Sequence, residues 1–136
     1  MDCTAGGEGI QWGMVEIRNT TKMRVPGAFL KALARKVFAK EKAKKRDVSV
    51  VFLKEKEAQA LNKLYRGKTY VPNVLSFEME ELGLGEIVLC PKVISQDAKK
   101  YGITFKQELA LVFVHGLLHL LGYSHKEIEK KSKQYV

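Results

Sequence analysis

The chain has 136 residues, 46% of them hydrophobic and 29% charged, and carries a formal charge of +9. Length and balance predict one soluble globular domain with a real core, and leave no room for two. The absence of an apolar run of membrane-span length excludes a transmembrane protein. Without a signal-peptide layout, and with only Cys3 and Cys90, a secreted disulfide scaffold is excluded too; a cytoplasmic chain with reduced thiols is expected.

Residues 1–13 are glycine-rich and aperiodic, and read as a flexible leader in which Trp12 is exposed; the domain is expected to span 14–136. Met14–Arg18 alternates apolar and charged side chains, the pattern of a half-buried strand. Pro26 opens a helix expected to run to about Lys45, with Phe29, Leu30, Leu33, Val37 and Phe38 as its buried stripe. From Lys22 to Arg46 there are ten Lys or Arg against the single acid Glu41. A solvated basic face is the usual explanation, but this imbalance, with the overall charge, predicts attraction to a polyanion such as nucleic acid.

Asp47–Leu53 is β-branched and aromatic, a second and more buried strand. Glu55–Tyr65 follows as a helix with Ala58, Leu61 and Leu64 inward, and Arg66-Gly67-Lys68 ends it. Arg66 can either neutralise that helix terminus or hold a phosphate with its forked guanidinium, and spacing alone leaves the two open. Pro72–Phe77 reads as an edge strand, and Gly85–Cys90 as its hairpin partner. Pro91 starts a short helix to Lys100, and Thr104-Phe-Lys-Gln107 is a capping box that opens a strongly apolar one. The tail from Lys126 is charged, with room for a turn or two of helix.

The chemistry concentrates in His115-Gly-Leu-Leu-His119-Leu-Leu-Gly122-Tyr123-Ser124-His125, which holds all three histidines of the chain. Four residues apart, His115 and His119 share a helix face. Gly122 sits where a left-handed turn ends the helix, so the chain can double back and bring His125 to the same face. Three imidazoles without a fourth protein ligand suit one zinc ion with an open position, as in catalytic rather than closed structural sites. Two ordinary helix histidines and one exposed histidine are the plain alternative. The clustering and the glycine stop favour the metal. The same spacing occurs in zinc proteases, which place a glutamate base directly after the first histidine; here that residue is Gly116, and peptide hydrolysis becomes a poor second.

These residues resemble the YbeY family of bacterial endoribonucleases, whose hallmark is a His-Gly-x-Leu-His-Leu-x-Gly-Tyr-Asp-His run. The likeness continues upstream through Leu61-Asn-Lys-Leu-Tyr-Arg66-Gly-Lys68, Asn73-Val-Leu-Ser-Phe77 and Leu84-Gly-Glu-Ile-Val-Leu-Cys90, and covers roughly residues 14 to 130. Ser124 stands where the family usually has Asp, Glu86 replaces a common Asp, and Thr69-Tyr-Val-Pro72 replaces Asp-x-Pro-Thr. The resemblance implies one zinc ion on His115, His119 and His125, and catalytic roles for Arg66 and His115. It also implies single-stranded RNA and ribosomal RNA precursors as substrates, and a role at the small ribosomal subunit in maturation and quality control.

The order strand, helix, strand, helix, strand, strand, helix, helix predicts an α+β (α/β layer) fold. A mixed four-stranded sheet packed by about five helices is expected, with the zinc-hydrolase-like histidine motif on the C-terminal helix. A zinc-dependent endoribonuclease is the leading expectation. The alternatives are a non-catalytic, metal-stabilised RNA- or ribosome-binding module and, behind it, a metalloprotease-like hydrolase.

Overall fold

A computed structural model describes residues 14–44, 46–78 and 83–136. The leader with Cys3 and Trp12 lies outside the described residues, as does Lys45. In chain order the elements are β1 (Val15–Asn19), α1 (Gly27–Lys40), β2 (Val48–Phe52), α2 (Glu55–Arg66), β3 (Val74–Glu78), β4 (Gly85–Leu89), α3 (Pro91–Tyr101), α4 (Phe105–Leu120) and α5 (His125–Ser132). The strands pair in the order β1-β2-β4-β3, with β1, β2 and β4 parallel and β3 antiparallel at an edge. Parallel neighbours need crossovers, which α1 and the α2–β3 excursion supply, while the short β3–β4 connection makes a hairpin. The fold is the mixed four-stranded α+β arrangement that the sequence predicts.

Alternation along the strands sorts side chains to two faces. Val48, Val50 and Phe52 of β2 join Ile87 and Leu89 of β4 in the main core, with α1 and α4 above them. Val51, Leu75 and Val88 face the other way into a smaller cluster against Leu61 of α2. Apolar nearly all round, α4 has to be enclosed, and α1, α3, α5 and the sheet surround it. The capping box predicted at its start forms: Gln107 N donates to Thr104 Oγ1 at 3.1 Å, and Thr104 N donates to Gln107 Oε1 at 2.8 Å. No described helix is long and apolar enough to cross a membrane.

Two helices differ from expectation. α1 stops at Lys40 rather than about Lys45, with no glycine or proline to announce it. Lys42 takes a left-handed φ of 53° and Ala43 N donates to Phe38 O at 2.9 Å, so a lysine fills the place glycine usually takes. In α2, Leu64 was expected inward but is 71% exposed, and Asn62 is fully buried instead. The inward stripe is Ala58, Leu61 and Asn62; the Asn62 amide Nδ2 donates to Tyr70 O at 2.9 Å and ties down the following loop.

Candidate functional site

The turn after α4 decides whether three imidazoles can meet. Gly122 adopts φ +94°, its N–H donates to His119 O at 3.0 Å, and Tyr123 N donates to Leu118 O at 3.2 Å. Ser124 then caps a new helix: its Oγ accepts from Glu127 N at 3.3 Å, and its own N–H donates to Glu127 Oε1 at 2.9 Å. His125 is thus the first residue of α5, a separate element from the helix that carries His115 and His119. The doubling back predicted from Gly122 occurs, and the His125 ring lies 6.1 Å from that of His119, centroid to centroid, at an interplanar angle of 38°. His115, His119 and His125 line one cavity of about 600 Å³, together with Arg66, Ser76 and Gly116.

A buried carboxylate holds the returning segment in place. Glu41, the residue capping α1, accepts from the Tyr123 hydroxyl at 2.8 Å and from Lys131 Nζ at 3.0 Å on one oxygen. Its other oxygen accepts from the Tyr135 hydroxyl. Lys131 Nζ also sits 4.6 Å from the centre of the Tyr123 ring. Burial pushes the Glu41 carboxyl up, but hydrogen bonds from Tyr135, Lys131 and Tyr123 outweigh it, and its pKa lies below the ordinary value. The one acid in the basic run therefore anchors the turn and α5, and with them His125. The sequence marks Glu41 only by its isolation among cations.

Arg66, the last residue of α2, also lines the cavity. The loop beyond it is fastened back onto the helix, since Gln59 Nε2 donates to Thr69 O and Asn62 Nδ2 to Tyr70 O. Tyr65 beside it packs edge-on against Phe77 of β3, with ring centroids 5.2 Å apart. Tyr65, Phe77 and Ser76 also line the cavity, and none was singled out from the sequence as a site residue. In the sequence Tyr65 reads as the end of a helix and Ser76 and Phe77 as strand residues; the fold brings them beside the histidines.

Among the described residues, no aspartate or glutamate lines this cavity. Burial lowers the His115 pKa; Glu129, beyond the ring on the other side, works against that shift, and His125 adds to it. The net effect favours the neutral imidazole, the form that offers a lone pair. Tetrahedral zinc with nitrogens about 2.0–2.1 Å away would set ring centroids about 5 Å apart. His119 and His125 stand roughly 1 Å wider than that, and among the described residues no three His, Cys, Asp or Glu already sit close enough to enclose an ion. His119 and His125 are solvent-exposed, and three imidazoles are by their chemistry a donor set that suits zinc. Buried Cys90, whose thiol burial pushes up, lies at the start of α3 and does not line the cavity.

Gly116 has a packing reason. A Cβ there would meet Ile87 Cδ1 at 3.3 Å, so the missing side chain lets α4 lie close on β4. The basic face of α1 is exposed as expected, at Lys31, Arg35, Lys36 and Lys40, but none of these residues lines the cavity. α1 packs mainly on α4 and to a lesser extent on β1, the strand at the opposite edge of the sheet from β3.

Fold and cavity together define a small α+β protein with three imidazoles and a guanidinium around a site free of described carboxylates. The family described as Endoribonuclease YbeY matches residues 16–134. The chain is 40% identical over 127 residues to the Endoribonuclease YbeY of Bdellovibrio bacteriovorus, covering 87% of this chain and 85% of that one. It is 35% identical over 107 residues to the Endoribonuclease YbeY of Thermotoga neapolitana, covering 77% and 72%. The solution structure of TM1509 from Thermotoga maritima superposes with a TM-score of 0.64 at 32% identity, over 90% of this chain and 86% of that one. The chain belongs to the YbeY family.

Proposed function

We propose that this chain is a zinc-dependent endoribonuclease that cuts single-stranded RNA in the cytoplasm, acting on ribosomal RNA precursors and in quality control at the small ribosomal subunit. The observation that carries it is the cavity lining: His115, His119, His125 and Arg66 line one cavity whose described lining holds no carboxylate, Glu129 lying near His115 but outside that lining. Such a lining welcomes a phosphodiester and offers no glutamate base of the protease kind. Names borne by relatives at 35–40% identity support the RNA-cleaving part.

His115, His119 and His125 would hold one zinc ion, which when bound supplies Lewis acidity toward a phosphoryl oxygen and toward water. Arg66 would grip two non-bridging phosphate oxygens through its planar fork and neutralise charge that builds on them in the transition state. The basic face of α1, away from the cavity, would carry flanking RNA through counterion release.

The test compares wild type with His115→Ala and Arg66→Ala on a single-stranded RNA, with and without chelator. Loss of cleavage in both variants is expected. Cleavage that persists unchanged in both points to a contaminating nuclease and removes the assignment. A binding module without turnover draws support from the separation of the α1 basic face from the cavity. Salt-sensitive RNA binding that survives chelation, with no product formed, would select it.

A further inference from the structure

Tyr65 is 63% exposed although it lines the same cavity as the histidines and follows α2 to its last turn beside Arg66. It is not loose. Its ring rests edge-on against Phe77, at 5.2 Å between centroids and 63° between planes. Phe77 in turn belongs to β3 and packs on the small cluster of Val51, Leu75 and Val88. An edge-to-face contact takes the rim of one ring and at most one face of the other, so at least one face of Tyr65 is left free of Phe77. An exposed aromatic ring thus borders the cavity, next in sequence to Arg66, the one guanidinium among its described lining residues.

Lining chemistry selects what would lie on such a ring. Peptide side chains of either sign could stack there, but cationic ones would meet Arg66 with no described carboxylate in the lining to offset it. A polyanion that carries flat, apolar-faced groups one covalent step from each phosphate meets both features together. Nucleotides have that construction, and every base has a π face, so stacking needs no particular sequence. A cavity of about 600 Å³ lies within the usual range of about 300–1,000 Å³ for small-ligand sites, and suits one nucleotide unit.

We propose that Tyr65, braced by Phe77, is the platform on which the unpaired base next to the scissile phosphate stacks, and that it is a specificity-determining residue for single strands. The proposal rests on the RNA-cleaving function proposed above. In an A-form duplex the bases are stacked on one another and paired, and one would have to be extruded to reach the ring. A single strand offers its bases without that cost. Arg66 would hold the phosphate and Tyr65 the adjoining base, fixing register without reading identity.

The experiment uses the full chain, with Tyr65→Trp and Tyr65→Leu as variants. Leucine keeps apolar bulk against Phe77 but has no π face; tryptophan keeps the face. Binding of a labelled single-stranded oligoribonucleotide is measured by anisotropy in excess chelator, and kcat and KM on the zinc-loaded protein. Tyr65→Leu should weaken binding at least about fivefold, mainly in KM, with Tyr65→Trp close to wild type, since one stacked base contributes roughly 1–3 kcal/mol. The same oligonucleotide with an abasic residue at each flanking position in turn should erase the difference between wild type and Tyr65→Leu at one of them. Equal binding by wild type and Tyr65→Leu, or a deficit that persists with both abasic strands, overturns the stacking role while leaving RNA cleavage intact. Wild type that neither binds nor cuts single-stranded RNA overturns the proposed function itself.

Discussion

The Tyr123 hydroxyl donates to Glu41 Oε1 at 2.8 Å, joining residues 82 positions apart. With Lys131 and Tyr135 on the same carboxylate, this contact is what fastens the α4–α5 turn to the end of α1. Glu41→Ala should lower stability by on the order of 1–3 kcal/mol, because it leaves part-buried donors, Tyr135 above all, without their charged acceptor. Zinc affinity should fall with it, because the segment that bears His125 is no longer held. Denaturant unfolding and zinc titration of the variant check both.

Glu41 also sets an acid dependence. Its folded-state pKa lies below the ordinary 4.5, so its contribution is fully present above that value and is lost as pH falls through the depressed one. Wild type should lose stability on acidification below 4.5 more steeply than Glu41→Gln, which has no proton to take up there. Thermal unfolding of the two proteins across that range decides it; parallel curves would remove the role.

Arg66→Lys should not rescue Arg66→Ala. A lysine keeps the charge but loses the fork that matches two phosphate oxygens. Both variants should lower kcat/KM by on the order of 10²-fold with little change in stability, as Arg66 is exposed at the end of α2. A lysine variant near wild-type rate would mean that charge alone suffices.

Gly116→Ala gains about 1 kcal/mol of helix propensity but sets a Cβ 3.3 Å from Ile87 Cδ1, so the two effects should nearly offset and stability should shift by no more than about 1 kcal/mol. Ile87→Val in the same chain removes Cδ1 and should make the alanine relatively more favourable. Chemical denaturation of the single and double variants measures the coupling.

Ser124→Ala should cost about 0.5–2 kcal/mol through loss of the α5 cap, and Ser124→Asp should cost little. Both residue types can accept from the N3 amide, so either one can cap α5. Unfolding midpoints of the two variants test it.

Much of this was legible in the chain itself. Period-two alternation in β1, the β-branched and aromatic run of β2, the Thr104–Gln107 box and Gly122 each signal local structure through their own chemistry, and the structure places all of them as read. Arg66 and the three histidines meet because two helix ends and a turn bring them together, and the spacing of the histidines anticipated their half. What stayed hidden depends on contacts between distant segments. Lys42 ends α1 without a glycine because Ala43 packs inward, and Asn62 is buried because a loop eight residues on needs its amide. Glu41 and Tyr65 acquire their roles only from partners far along the chain.

The third imidazole is where the proposed site is most exposed to refutation. Zinc per chain and zinc affinity, measured side by side for wild type and His125→Ala, test it directly. One zinc per chain in wild type, with affinity at least about tenfold weaker in the variant, is expected. Equal zinc affinity in the two proteins would contradict a tri-histidine site and leave His125 as an exposed first residue of α5.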